Sequence, residues 1–492
     1  MKLIIDKNLS RYYLQTLCLL FFPGAKFSES EEVTEKTPVV TVTLDREEDG
    51  AVCTASIRIG DKEVTRSHKE PYGGFPKTKT ENMAANKAFF NAAEVFFGYT
   101  PPWGILTGVR PTKIVLDYLN EGMTKDQTVK ELRRQYLLYP KKAIIATDIA
   151  RNELKIIKKY PLDTCSVYIS IPFCPTRCSY CSFVSFTTKK LLALIPAYLE
   201  ALKVELSLIA RQIKESGFKL KTVYIGGGTP TTLNEEQLED LLAYIDELFD
   251  TSSLDEFTLE AGRPDTITEK KLQSAYDHNV TRISINPQSL NNFVLQEIDR
   301  CHTAEMFFKA YEMARKSGIP CINTDLIMGL PTDDIESYSD TLEKIIELSP
   351  ENITAHTFCV KRSADILKEE GQDIFARENF EVSKCVDYTQ IMTKKAGYIP
   401  YYMYRQKNAK GNLENVGYCK KGTEGIYNIL MMEEIHSIFS AGAGAVTKLV
   451  GERNVKIERI FNPKYPYEYL EQDRYKVFEQ TKKIMEGFFA KL

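Results

Sequence analysis

The stretch Tyr168-Ile-Ser-Ile-Pro-Phe-Cys174-Pro-Thr-Arg-Cys178-Ser-Tyr-Cys181 sets three thiols at C-x3-C-x2-C, directly after a short apolar run that reads as a strand. Three thiolates on one tight loop suit three irons of a cubane cluster and leave the fourth iron open to another ligand. A cluster that only carries electrons or supports structure normally takes four cysteines. No fourth cysteine follows at short spacing, since Ser182 and Phe183 come next. Two other readings compete. A zinc knuckle pairs two cysteine hooks and closes with four ligands, and the chain shows neither a second hook nor a histidine nearby. Three unrelated core cysteines are the remaining reading. Eleven cysteines without a signal peptide fit a reducing compartment in which thiols serve as ligands, so a cytoplasmic location is expected.

Around this loop, from residue 166 to about 360, strand patterns alternate with amphipathic helical ones. Strands are expected at 167–171, 222–225, 256–260, 282–286, 321–327 and 352–359, and helices at 196–216, 235–249, 269–278, 304–317 and 335–348. Asn234 with Gln237 has the form of a capping box, Thr268 that of an N-cap, and Gly318 stands where a helix ends in a left-handed residue. Six β–α repeats argue for an α/β fold, a parallel sheet closed part-way into a (β/α)6 barrel. In such barrels ligands collect at the C-terminal strand ends, where the cysteine loop lies.

The other strand ends carry chemistry too. Gly226-Gly227-Gly228-Thr229-Pro230-Thr231 follows the second strand. Three glycines let backbone amides approach an anion or a ligand amine without an intervening Cβ, and neither a Walker lysine nor G-x-G-x-x-G spacing is present. Glu260 ends the third strand, Pro287-Gln288 follows the fourth, Arg300-Cys301-His302 comes later, and Asp325 lies in the fifth. Singly, each reads as a surface or capping residue. Gathered at one barrel mouth with a thiolate loop, they read as a cofactor site.

At 492 residues, with 43% of them hydrophobic and a formal net charge of −3, the chain calls for two or three domains. Nothing in the charge points to nucleic acid, and the apolar run 14–22 is too short to span a membrane. Residues 1–150 are expected as an α+β unit. It holds a hairpin (39–44 and 51–59 around Glu47-Glu48-Asp49-Gly50), a helix over 81–97 stopped at Gly98, and helices over 112–120 and 124–136. The segment 101–111, with the only tryptophan, Trp103, reads as a binding loop or a packed interdomain turn. The barrel is assigned to 151–364 and a C-terminal α+β extension, as lid or substrate-binding domain, to 365–492. That extension carries a helix over 378–396 and the run Tyr398-Ile-Pro-Tyr401-Tyr402-Met-Tyr404-Arg405-Gln-Lys407-Asn408. Aromatic faces with cationic tips suit a flat, carboxylate-bearing ligand; a tyrosine-rich edge strand is the alternative. Gly442-Ala443-Gly444-Ala445 suggests close backbone packing or a second ligand-facing loop.

Together these motifs resemble those of radical S-adenosylmethionine proteins, and more narrowly the oxygen-independent coproporphyrinogen III dehydrogenase (oxidase) family and its HemZ-type branch. The resemblance is specific from Tyr168 to about Arg362. It extends less specifically to Trp103-Gly-Ile-Leu-Thr-Gly-Val-Arg-Pro and to Tyr404-Arg-Gln-Lys-Asn. It implies a [4Fe–4S] cluster on Cys174, Cys178 and Cys181, with the open iron chelating the amino and carboxylate groups of S-adenosylmethionine. It also implies cofactor contacts at Tyr168, Tyr180, Gly227, Gly228, Thr229, Glu260, Gln288, Arg300 and Asp325, some of them to a second S-adenosylmethionine. The implied chemistry is reductive cleavage of the sulfonium to a 5′-deoxyadenosyl radical. That radical takes a hydrogen from a propionate β-carbon, and carbon dioxide is lost to leave a vinyl group, twice over, from coproporphyrinogen III to protoporphyrinogen IX in haem biosynthesis. The implied partners are a tetrapyrrole substrate and an electron donor such as flavodoxin or ferredoxin, with neither nucleic acid nor membrane.

Three departures set the chain apart from the family's oxidases: Phe183 replaces a further cysteine, Ser170 replaces the histidine of Y-x-H-I-P-F-C, and Asn286-Pro287-Gln288 replaces G-V-Q. The haem-chaperone branch also lacks that cysteine, so a haem carrier with His302, His356 or His436 as ligand is one alternative. A radical enzyme for another tetrapyrrole is a second. Lys361, Arg362, Arg405 and Lys407, walled by Tyr401, Tyr402 and Tyr404, are the expected partners for substrate carboxylates.

Overall fold

The computed structural model describes residues 1–28, 34–108, 110–183, 185–359, 379–406, 409–451 and 456–490. Two compact units result. The first is built from Met1–Thr147 with Arg405–Leu413, and the second from Asp148–Glu369, Phe380–Tyr404 and Glu414–Leu492.

In the first unit β1 (Lys2–Ile5) pairs parallel with β2 (Val39–Arg46), and β3 (Gly50–Ile59) and β4 (Lys62–Pro71) continue antiparallel. The expected hairpin is β2–β3. Strand β4 escapes the pattern because its sequence, KEVTRSHKEP, is polar on both faces and mostly exposed. Helix Lys77–Phe97 lays an alanine-rich face on the sheet and stops at Gly98 in the left-handed region (φ 65°). Helices Pro111–Asn120 and Lys125–Tyr136 follow, the latter with a Thr124/Gln127 capping box.

Residues 101–106 belong to this core. Trp103 is fully buried, the Ile105 N–H donates to the Tyr136 carbonyl at 2.9 Å, and a Cβ on Gly104 (φ 54°) would strike that same carbonyl. It is a packed turn. The run 14–22 falls in helix Arg11–Phe21, which buries Leu14, Leu17, Cys18 and Phe21, and no helix among the described residues is long and apolar enough to cross a membrane.

The second unit is organised by six parallel strands in sequence order: β5 (Thr164–Ile171), β6 (Lys219–Gly227), β7 (Glu256–Glu260), β8 (Arg282–Ser284), β9 (Cys321–Met328) and β10 (Asn352–Thr357). Helices Ile195–Glu215, Glu235–Phe249, Glu269–Asp277, Ala304–Ser317 and Ile335–Leu348 alternate with them. The Asn234 capping box, the Thr268 cap and the Gly318 C-cap (φ 86°) all form. Residues after 379 extend the sheet at both ends. Beyond β10 lie β12 (Glu414–Cys419), antiparallel, and β11 (Ile399–Arg405). Beyond β5 lie β13 (Ser437–Ala441), parallel, then β14 (Val446–Val450) and β15 (Ile457–Phe461), antiparallel.

Between β12 and β13 the chain crosses from one end of the parallel set to the other, and buried charge holds the crossing. Glu256 accepts from the Ile426 and Tyr427 N–H groups at 2.8 and 3.1 Å, and Arg282 pairs with Glu256 at 3.1 Å. Arg282 also donates to the Thr423 and Glu424 carbonyls at 2.9 and 3.1 Å. Both side chains are buried, so each supplies the partner the other needs out of water.

Candidate functional site

The loop after β5 carries the three cysteines, with Cys174 and Cys178 buried and Cys181 half-buried. The loop is pinned at both ends: the Cys174 N–H donates to Phe186 O at 3.2 Å and the Cys181 N–H to Cys178 O at 3.0 Å. Burial pushes the Cys174 and Cys181 thiols up. A bound cation reverses that preference, since thiols ligate metal as thiolates. Among the described residues no three His, Cys, Asp or Glu side chains converge to hold one ion, as a mononuclear zinc site would need. In a cluster each thiolate meets a different iron, so a loop with three thiols would hold three irons.

The glycine run after β6 forms the facing wall. A Cβ on Gly228 would lie 2.6 Å from Phe173 O and 2.9 Å from Cys174 Sγ, and one on Gly226 would lie 2.8 Å from Glu260 Oε2. Gly227 adopts φ 115° against the Ile171 backbone. Thr229 follows them just past the end of β6, its hydroxyl 3.3 Å from Cys174 Sγ. Only glycine allows the two loops to close in this way.

Inward-facing residues of successive strands continue the site. Tyr168 of β5, Tyr224 of β6 and Tyr427 stack, with Tyr224 and Tyr427 centroids 4.5 Å apart. The Tyr224 hydroxyl donates to Glu260. Burial drives the Glu260 carboxyl from its ordinary 4.5 to about 7; the nearby Asp325 charge adds to the rise and the Tyr224 hydrogen bond opposes it. For Asp325 burial also pulls upward, but His356, Asn323 and Thr354 outweigh it and hold the carboxyl below the usual range. Its Oδ1 accepts from Asn323 at 2.8 Å, and its Oδ2 lies 3.5 Å from His356 Nε2. Gln288 sits in the left-handed region (φ 67°), its N–H bonded to Asp325 O at 3.0 Å. Its Oε1 is buried with no hydrogen-bond partner among the described residues, a buried acceptor that a ligand donor would satisfy.

Arg300 stands beside the cysteine loop. Its Nη1 is 3.6 Å from Cys178 Sγ and 3.3 Å from the Tyr180 hydroxyl, while Nη2 donates to Gly262 O at 2.5 Å and Asn286 O at 2.8 Å. Tyr168, Tyr180, the glycines, Thr229, Glu260, Gln288, Arg300 and Asp325 are thus linked through contacts around the three thiols. The residues fit a cluster with an amino-acid ligand beside it: a thiol cradle, a backbone groove, two carboxylates and an unsatisfied buried amide oxygen.

Several expected residues go elsewhere. Arg405 belongs to the first unit and is buried there, donating to Leu106 O and to Asn412 O (3.1 Å) with its guanidinium 5.0 Å from the Trp103 ring centroid. Those contacts make it a core arginine rather than a substrate contact. Tyr401 and Tyr402 are buried; the Tyr404 hydroxyl bonds His356 Nδ1 at 3.0 Å. Lys361, Arg362 and Lys407 lie outside the described residues. His436 is fully buried, its two nitrogens bonded to Thr164 and Ser166 at 2.9 and 2.7 Å, and burial lowers it to about 3. His302 is buried as well. Ser170 bonds Ala443 O at 2.8 Å, and a Cβ on Gly442 would crowd Ser170 O at 2.6 Å. The glycine–alanine run therefore serves close packing.

Missed by sequence reasoning were Tyr224, Tyr427, Asn323 and Arg263. Tyr224 is two residues before Gly226 on one strand face, so period-two alternation could have marked it. Tyr427 arrives from a crossing with no local signature.

The radical SAM superfamily model matches residues 168–345. The chain is 39% identical over 407 residues to the oxygen-independent coproporphyrinogen-III oxidase-like protein HemZ of Bacillus subtilis, covering 82% of this chain and 81% of that one. It is 31% identical over 290 residues to the heme chaperone HemW of Lactococcus lactis, covering 58% and 70%. The solved coproporphyrinogen III oxidase HemN of Escherichia coli, a radical SAM enzyme, shares the fold with a TM-score of 0.51 at 22% identity, over 67% of this chain and 72% of that one.

Proposed function

The chain belongs to the radical SAM family of HemZ-type, coproporphyrinogen-III oxidase-like proteins, and we propose that it decarboxylates propionate side chains of coproporphyrinogen III oxidatively to vinyl groups. The family's cofactors are a [4Fe–4S] cluster and S-adenosylmethionine; when bound they supply the hydrogen-abstracting power, and the protein supplies orientation and exclusion of water. The observation that carries the reading is the meeting of the thiol loop, the Gly226–Gly228 groove and the Glu260 and Asp325 carboxylates in one linked set.

In this reading Cys174, Cys178 and Cys181 hold the cluster. The groove amides and Gln288 Oε1 receive the amino-acid part of the cofactor, and Glu260 with Asp325 offsets its positive charge. Tyr168, Tyr224 and Tyr427 form a contiguous aromatic wall that keeps water from the reacting face, and Thr229 supports the Cys174 sulfur. The similarity to HemW makes a haem carrier the competing reading. Against it, both His436 nitrogens are bonded within the core and His356 is engaged by Asp325 and Tyr404. Anaerobic turnover of reconstituted protein with coproporphyrinogen III, S-adenosylmethionine and a chemical reductant tests the proposal by mass spectrometry. Loss of carbon dioxide with vinyl product supports it; 5′-deoxyadenosine without vinyl product, together with tight haem binding, overturns it.

A further inference from the structure

Arg263, just beyond β7, is buried to 2% exposure. Its Nε and Nη2 grip Asp265 Oδ1 and Oδ2 at 3.0 and 2.9 Å. That two-pronged pairing satisfies one side of the guanidinium and cancels its charge. The remaining nitrogen, Nη1, points into the cysteine loop. It donates to Thr176 Oγ1 at 2.7 Å and Thr176 O at 3.3 Å, and lies 4.0 Å from Cys178 Sγ. Thr176 is the central residue of the first cysteine spacing, so Arg263 holds the loop at its midpoint. Arg300 approaches the same sulfur at 3.6 Å. Two guanidiniums therefore face Cys178, one neutralised by Asp265 and one braced by carbonyls and a hydroxyl.

A buried arginine–aspartate pair is costly to place beside a loop that could be packed with apolar groups. N–H donors and positive charge at a ligand sulfur stabilise the more negative, reduced state of a cluster and raise its potential. We propose that Arg263, oriented by Asp265, is a positioning residue that fixes the cysteine loop through Thr176 and sets the reduction potential of the cluster through Cys178. The inference rests on the reading that Cys174, Cys178 and Cys181 hold that cluster.

The test is an anaerobic redox titration, followed by electron paramagnetic resonance, of reconstituted wild type, Arg263→Gln, Arg263→Lys, Asp265→Asn and the Arg263→Gln/Asp265→Asn double variant, with iron counted in each. Arg263→Gln removes the guanidinium from Thr176 and Cys178 and exposes the Asp265 charge, so its potential moves to more negative values. Asp265→Asn frees the Arg263 charge, so its potential moves the other way. The double variant loses the guanidinium without leaving the Asp265 charge unpaired and shifts negative by less than Arg263→Gln, and Arg263→Lys falls between Arg263→Gln and wild type. In cofactor-free protein Arg263→Gln also speeds alkylation of Cys178, read by peptide mass. Variants that share the wild-type potential, whether or not iron content drops, overturn the inference and leave Arg263 a structural anchor. Wild type that takes up no iron instead overturns the cluster reading beneath it.

Discussion

Glu260 is the proposed cofactor carboxylate with the most consequential protonation. Its folded value of about 7 lies above the ordinary 4.5, so the cofactor-free protein favours the protonated acid. The stabilisation this gives is present below pH 4.5 and is lost as pH rises through about 7. A cationic ligand prefers the carboxylate, so S-adenosylmethionine affinity should rise with pH up to about 7 and then level off, with a proton released on binding below that point. Calorimetry of reconstituted protein in buffers of different ionisation enthalpy checks this, and Glu260→Gln should flatten the profile. The thiols, the glycines and Glu260 were legible in the sequence because each is a rare residue type at a strand end. Arg263 was not, because an arginine beside a proline and an aspartate reads as an ordinary turn until the loop it grips is brought beside it.

The glycine run and the cysteine loop meet in close backbone contact. Gly228→Ala places a methyl group 2.6 Å from Phe173 O and 2.9 Å from Cys174 Sγ, and backbone cannot yield as a flexible side chain can. A cost of about 1–3 kcal/mol is expected, read as reduced iron uptake with the far-ultraviolet circular dichroism unchanged. The crossing between β12 and β13 gives a second prediction. Arg282→Met strands the buried Glu256 carboxylate and should cost about 3–5 kcal/mol in chemical denaturation, whereas adding Glu256→Gln should restore part of it. Because Glu256 holds the start of the helix Ile426–Met432, the single variant should also disturb the Tyr427 stack and weaken cofactor binding. Strands β5 to β10 and their caps were readable from period and end signals. The places of β11 to β15 were not, since β13 pairs with β5 across some 270 residues of chain and no local pattern encodes a partner that distant.

At the scale of the whole molecule, the two units answer to different probes. Trp103 is the only tryptophan and is buried in the first unit, against Arg405. Arg405→Ala removes hydrogen bonds from a charged group and should destabilise that unit by about 1.5–3 kcal/mol. Tryptophan fluorescence should report the loss as an earlier transition, with iron content as in wild type. Loss of iron in Arg405→Ala would mean that its role extends beyond the core of its own unit. The most direct test of the account is the iron count of anaerobically reconstituted Cys174→Ala, Cys178→Ala and Cys181→Ala, measured beside Cys165→Ala, Cys301→Ala and wild type. Wild type and the two control variants should hold about four irons per chain and cleave S-adenosylmethionine, while each loop variant loses both. A protein with all three loop cysteines replaced that still carries the cluster would contradict it.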